Sequence, residues 1–359
     1  MSLLEPFIMI YMKTVGVGII GCGSIGKYHI DRCLKLSEAK VVAVCDIDKQ
    51  ALREVKEKFK IENLYVDYHD LLDRKDVEAV IVSLPNYLHA PVTIDALKSG
   101  KHVLCEKPPA LNARQVEEMF ATSRKAGRKL VIGLTRRFSN TTRVLKKYVG
   151  DGVLGEVYLA KCGYLRRTGI PGMGSWFTTK SLAGSGAVFD IGVHALDMTF
   201  WIMDDFKVKS VYASTYAKFG PKGKAAGDWG KPVPGGPFDV EDLGVSLIKM
   251  ESGATIYLEA AWASFAPKAE FYVHLLGDAG GLEYPAMNLI TEEEGKIVTK
   301  KIECEEREDP YLVEMRHFIV DCILKDEEPI TKPEEMILLQ KTLDAILESA
   351  EEGEEVKVC

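Results

Sequence analysis

A chain of 359 residues exceeds what one hydrophobic core usually organises, so two domains are expected. Its 47% hydrophobic and 28% charged residues, with mixed signs and a net charge of −7, exclude collagen-like and disordered classes and argue against a general nucleic-acid binder. No run reads as the roughly 20 apolar residues that cross a bilayer, so no membrane partner is expected either.

The apolar segment 7–12 lacks the charged start and small-residue cleavage site of a secretion signal, and is expected to precede or extend the first strand. Val15-Gly16-Val17-Gly18-Ile19-Ile20 reads as a buried strand. Similar β-branched runs recur at 41–45, 79–84, 102–105 and 130–133. Between them Leu52, Val55 and Phe59 share one helix face, as do Val92, Ala96 and Leu97. Doubly buried strands separated by helices predict an α/β domain on a parallel sheet over residues 1–134.

From residue 135 to 359 the pattern changes. Alternating strands at 243–250, 255–262 and 270–276, joined by short Gly-bearing connections, predict hairpins in an α+β domain. The stretch 220–237, rich in Gly, Pro and Lys, reads as a surface loop open to motion. Two amphipathic helices are expected at 311–324 and 333–348, free to pack back on the first domain. The eight cysteines contain no Cys-x-x-Cys pair, which fits small buried hydrophobes in a reducing, cytoplasmic setting.

Three segments carry chemistry. Gly21-Cys22-Gly23-Ser24-Ile25-Gly26 follows the first strand and opens a helix, the context in which glycines admit a dinucleotide pyrophosphate to a helix N-terminus. Asp46 ends the second strand, where a carboxylate takes ribose hydroxyls and repels a 2′-phosphate; NAD is therefore favoured, with Lys49 near enough to keep NADP open. Glu106-Lys107-Pro108-Pro109 follows a short buried strand, at the edge where open α/β sheets hold ligands. A lysine there can stabilise negative charge developing on a substrate oxygen, though a solvated Lys-Pro loop looks the same in sequence.

The third segment reads as a helix from Asp190, with Asp190, His194 and Asp197 on one side. Histidine suits the removal of a hydroxyl proton that accompanies hydride loss from an alcohol. A core histidine bonded to a carboxylate is an equal alternative. A metal is not expected, because no second His or Cys group of suitable spacing occurs.

Taken in order, these segments, with His29 after the glycine loop and Pro85-Asn86-Tyr87-Leu88-His89 after the third strand, resemble the glucose–fructose oxidoreductase, inositol dehydrogenase and rhizopine-catabolism (Gfo/Idh/MocA) family over nearly the whole chain. The resemblance implies a Rossmann domain followed by a domain on an open, mostly antiparallel sheet. It implies Lys107 and His194 as the catalytic pair, with Asp190 holding the substrate. It further implies that Ser83, Leu84, Pro85, Asn86, His89 and Glu106 lie along the cofactor, and that the chain forms a homodimer or homotetramer through the second sheet.

The expected activity is NAD(P)-dependent hydride transfer to or from a hydroxyl of a sugar, inositol or related polyol. Arg136, Arg137, Tyr164, Arg166 and Trp176 are candidates for the substrate wall, against the alternative that the paired arginines make surface ion pairs and Trp176 packs a loop. Asp239, Glu241 and Asp242 stay unassigned. Two other functions remain open: a sensor that reads the cofactor without turnover, and an NAD-assisted glycoside-cleaving enzyme without net redox change.

Overall fold

A computed structural model describes residues 13–358, so the segment 7–12 and Cys359 lie outside the described residues. The β-branched runs form a six-stranded parallel sheet of β1 (Val15–Ile20), β2 (Ala39–Cys45), β3 (Leu64–Tyr65), β4 (Ala79–Val82), β5 (His102–Glu106) and β6 (Leu130–Gly133). Their spatial order β3-β2-β1-β4-β5-β6 reverses direction between β1 and β4, which opens a crevice beyond the strand ends. Helices α1 (Ser24–Cys33), α2 (Lys49–Phe59), α3 (Tyr68–Leu72), α4 (His89–Lys98) and α5 (Ala113–Ala126) make the crossovers. Asp48 caps α2 by accepting the Gln50 N–H, and Asn112 caps α5 by accepting that of Gln115.

After α6 (Asn140–Gly150) comes β7 (Val157–Leu165), the first strand of a nine-stranded sheet. The short helix α7 (Lys180–Ala183) leads into a π-helical turn, Val188–Gly192, that continues as α8 (Val193–Met203). Then follow β8 (Val208–Tyr216), β9 (Leu243–Met250), β10 (Thr255–Ala261), β11 (Glu270–Gly277), β12 (Gly280–Tyr284), β13 (Asn288–Glu293) and β14 (Lys296–Lys301). Beyond them lie α9 (Pro310–Arg316), a second π-helical stretch, His317–Leu324, then α10 (Pro333–Glu352) and β15 (Val356–Lys357). The strands run in the order β14-β13-β12-β11-β7-β10-β9-β8-β15, antiparallel throughout except that β7 and β10 are parallel.

Alternation divides this sheet's two faces. Ala160, Cys162, Ile256, Leu258, Val273 and Leu275 point to the core under α8, while Lys161, Tyr257 and His274 share the opposite face. The stretch Lys180–Met203 passes as a membrane span by length and composition alone, but it carries Lys180, Asp190, His194 and Asp197 and is mostly buried as a central core helix.

The tail closes the first domain. Met315, Phe318, Ile319 and Cys322 share one cluster with Val15, Val17 and Ile19, all fully buried. Each such side chain contributes about 1.5–3 kcal/mol relative to an exposed one, so residues 310–324 complete the Rossmann core although they follow the second sheet in sequence. The Asp344 carboxylate on α10 accepts the Ala113 N–H at 2.8 Å, tying α10 to the start of α5.

Candidate functional site

The glycine loop is built for close approach. Gly21 takes φ +99°, and a Cβ there would stand 2.2 Å from the Ser83 carbonyl; one on Gly26 would stand 1.9 Å from the Gly21 carbonyl. The Ser83 hydroxyl donates to the Gly21 carbonyl at 2.9 Å and holds the turn. Gly23 begins α1 with no side-chain cap, and nothing lies within 4 Å of where its Cβ would be. The first N–H groups of α1 thus face open space, as an anion requires. At the tip of β2 the Asp46 carboxylate accepts the Cys22 N–H at 2.7 Å and the Asp48 N–H at 2.8 Å, which fixes it at the crevice mouth. These groups fit the pyrophosphate and adenosine ribose of a dinucleotide.

The crevice continues as one cleft of about 1480 Å³ between the two sheets. Lys107, just past β5, reaches across it: its Nζ donates to the Asp190 Oδ1 at 2.9 Å and to the Asp190 carbonyl at 2.8 Å. The other Asp190 oxygen accepts the Trp262 Nε1–H at 2.8 Å. Burial would raise the Asp190 carboxyl, but the Lys107 charge and hydrogen bond, with Arg166 and Trp262, hold it below the ordinary aspartate range. His194, one turn further along the same helix, also lines the cleft, and its Nδ1 has no partner among the described residues. Burial, then the positive charges of Lys107 and Arg136, push its imidazole well below the usual histidine value, so it is neutral near pH 7.

Glu106, beside Lys107, accepts from or shares a proton with the buried His29 ring at 2.7 Å and accepts the Lys107 backbone N–H at 3.2 Å. Burial raises the Glu106 carboxyl, yet its bond to His29 and the nearby Lys107 outweigh that and leave it below the ordinary value. The Lys107 backbone is therefore held from within the first domain while its amine is held from the second.

Gly21, Cys22, Gly23, Ser24 and Ile25 of the glycine loop, Asp46, Ser83, Leu84, Pro85, Asn86, His89, Glu106, Lys107, Asp190, His194, Tyr164, Arg166 and Trp176 line this cleft, while Gly26 is buried beneath the loop. Two of them already have protein partners: Asn86 donates to the Ala183 carbonyl at 2.8 Å, and the two ring nitrogens of His89 lie 2.8 Å from the Pro108 and Leu84 carbonyls, one of which takes its N–H. They shape the wall by bracing it.

Arg137 does not belong to the cleft. It is fully buried, with its guanidinium on the Asp197 carboxylate at 2.6 Å and on Glu335 at 2.5 Å, so the substrate-wall reading is corrected to an internal ion cluster. Asp197 is corrected with it. Seven residues along a helix is about 10 Å, enough to carry Asp197 from the cleft into the core beneath. The loop 220–237 lies at the surface, as expected. Its backbone is pinned to the segment 169–174 by bonds from Ile170 to Ala225, Gly172 to Trp229, Gly227 to Ile170 and Val233 to Met173. This places Trp229 and Lys231 on the cleft wall. Glu241 and Asp242 serve backbone, accepting the N–H groups of Gly186 and Val188 and of Phe219 and Gly220 respectively, and Asp239 accepts that of Lys180.

The residue that sequence reasoning missed is Trp262, whose only signal was its place at the end of the alternating run 255–262. Tyr311, on α9, also reaches the cleft from a helix that sequence assigned only to packing.

Comparison with known proteins identifies the family and the fold. Residues 15–134 match the oxidoreductase family with an NAD-binding Rossmann fold, and residues 142–283 match the C-terminal domain of the GFO/IDH/MocA proteins. The chain is 33% identical over 345 residues to D-glucoside 3-dehydrogenase of Escherichia coli K12, covering 95% of this chain and 97% of that protein. It is 33% identical over 203 residues to inositol 2-dehydrogenase of Salmonella typhimurium, 55% of this chain and 58% of that one. Among solved structures, levoglucosan dehydrogenase in complex with NADH superposes with a TM-score of 0.84 at 22% identity, over 97% of this chain and all of that one.

Proposed function

The chain belongs to the Gfo/Idh/MocA family of NAD-binding oxidoreductases, and from that membership we propose that it oxidises a hydroxyl of a sugar, inositol or related polyol with Lys107, Asp190 and His194. One observation carries the assignment of the site: the Lys107 amine of the first domain meets Asp190 of the second at 2.9 and 2.8 Å, one helical turn from a neutral His194. A protein that only senses the cofactor needs the glycine loop but not this set.

The cofactor would lie with its pyrophosphate on the α1 N-terminus and its adenosine ribose at Asp46, whose charge favours NAD over NADP. When bound, it supplies the acceptor for the hydride that leaves the carbinol carbon. Lys107 donates an N–H to the reacting oxygen and steadies the negative charge that grows there. Asp190 holds that amine in place, itself held by Trp262. His194 accepts the hydroxyl proton at a ring nitrogen. The substrate would thus lose a proton from oxygen to His194 and a hydride from carbon, leaving a carbonyl.

Tyr164, Arg166 and Trp176 suit a polyhydroxylated ligand, with donors for hydroxyls and an aromatic face for ring C–H groups. Association into a homodimer or homotetramer is supported by the outer face of the nine-stranded sheet, where Tyr212 and Leu247 are paired and half-exposed beside Tyr257. Seven free cysteines among the described residues support a reducing, cytoplasmic setting. The test is turnover across sugars, inositols and polyols with each nicotinamide cofactor, followed by NADH or NADPH absorbance. NAD-dependent oxidation of at least one is expected; cofactor binding with no turnover on any of them would favour the sensor.

A further inference from the structure

The hydride end of the cleft carries more positive charge than its chemistry uses. Lys107, Arg136 and Arg166 all line it, and all three lower the proton affinity of His194. Lys107 has a carboxylate at 2.9 Å in Asp190. Arg136 and Arg166 have none within ion-pair distance among the described residues. Instead the Arg136 guanidinium lies 4.4 Å from the centroid of Phe271, and that of Arg166 4.9 Å from Tyr164. Those two rings are cross-strand partners on β11 and β7 and meet edge to face at 5.3 Å. Among the described residues, the Arg166 guanidinium donates only to the Gly169 carbonyl at 3.3 Å and the Tyr164 hydroxyl at 3.4 Å, both long.

The acids near them are occupied. Asp190 is shared by Lys107 and Trp262, Glu106 by His29 and the Lys107 N–H, and Asp309 by Tyr28 and Arg32. Asp46, Asp48 and Glu54 serve the nucleotide end, and Asp228 stands on the exposed loop. The contrast with Arg137, next in the chain, is direct: that guanidinium is saturated by two carboxylates in the core. Two half-buried guanidiniums, each on one ring of the same aromatic pair, line the open cleft with donors of the kind that bind an oxyanion.

Building on the oxidoreductase reading, we propose that the substrate is an acidic sugar or polyol, whose carboxylate or phosphate sits between Arg136 and Arg166 while a hydroxyl on another carbon meets Lys107 and His194. The aromatic faces keep both guanidiniums in place without a protein carboxylate that would compete for them. A neutral sugar would leave the two charges to water and mobile ions.

The test is steady-state oxidation with NAD by the whole enzyme, using hexoses paired with their 6-carboxylate and 6-phosphate forms. An acid should exceed its neutral partner in kcat/KM by about 10- to 100-fold, the range of a charge-assisted hydrogen bond. The carboxylate and phosphate arms show which oxyanion is taken. Arg166→Gln and Arg136→Gln should each cut the acid-to-neutral ratio about tenfold or more, chiefly through KM, and Arg166→Lys should restore part of it. Preference for neutral sugars, or a ratio unmoved by either substitution, overturns the proposal while leaving the oxidoreductase reading intact. If no compound turns over, calorimetry of hexuronate binding to the enzyme–NADH complex decides: Arg166-dependent binding supports the anion site, and its absence overturns it.

Discussion

Replacing Asp190 by asparagine removes one negative charge from the point where the two domains meet. The carboxylate now accepts from Lys107 Nζ at 2.9 Å and Trp262 Nε1 at 2.8 Å, using one oxygen for each donor. Asparagine keeps a single acceptor, so one donor faces an amide NH₂ and only the Asp190 carbonyl, at 2.8 Å, still holds the lysine. Loss of a charge-assisted hydrogen bond costs about 1.5–3 kcal/mol, which is roughly 10- to 150-fold if it falls wholly on the transition state. Because the carbonyl contact survives, a loss of about 10- to 50-fold in kcat/KM is expected.

The pH profile supplies a second, independent sign. Burial and the charges of Lys107, Arg136 and Arg166 lower the proton affinity of His194, while Asp190 raises it. Removing Asp190's charge must lower it further. Alcohol oxidation needs the neutral imidazole, so the acid limb of kcat/KM should move to lower pH in Asp190→Asn. NADH formation at 340 nm, followed over pH 5 to 9 in wild type and variant, reads both effects. A limb that stays or moves up, or a loss below about threefold, would refute the arrangement of these charges.

Asp46→Ala should weaken NADH binding about tenfold and NADPH binding less, since it removes a ribose acceptor and a charge that repels a 2′-phosphate; equal losses in fluorescence titrations of the two cofactors contradict that role. Arg137→Met should destabilise the fold by about 3–5 kcal/mol by leaving Asp197 buried without its cation, and the KM of folded enzyme should hardly move; a large rise in KM at unchanged melting temperature would return Arg137 to the substrate. Glu314 is fully buried with both oxygens unpartnered among the described residues, and burial, then Glu106 and Asp309, raise its carboxyl well above the usual range. Its contribution is therefore present below the unfolded-state value and is lost as pH rises toward the folded one. Glu314→Gln should flatten the fall in melting temperature between pH 5.5 and 8.5, and an unchanged slope would show that Glu314 ionises without cost.

The first domain was legible because each strand is buried on both faces and must be a continuous apolar run. The expectation at 15–20 coincides with β1, and those at 102–105 and 130–133 fall on β5 and β6 within a residue. Only β3, two half-buried residues at the sheet edge, left no pattern. In the second domain β9, β10 and β11 were visible as alternation, but β7 and β8, with polar residues scattered among buried ones, and the exposed β14 were not. The helix expected from Asp190 starts earlier, as a π-helical turn over Val188–Gly192 that no side-chain periodicity of 3.6 reveals.

Within the site, residues that act through backbone position, such as the glycine loop and Asp46, could be read from local spacing. Those that act through long-range pairing could not. Trp262 reaches Asp190 across 72 positions, and Arg137 meets Asp197 and Glu335 across 60 and 198. Adjacent arginines with one composition part ways here, Arg136 to the cleft and Arg137 to the core, because successive residues of a tight turn point in different directions.

The most direct test concerns the imidazole at 194. His194→Ala should reduce turnover with the best substrate by about 10² to 10⁴, with the dissociation constant for NADH, measured on the same preparation, within threefold of wild type. Near-normal turnover in that variant would show that the histidine only fills space beside Lys107, and the proton would have to leave by another group.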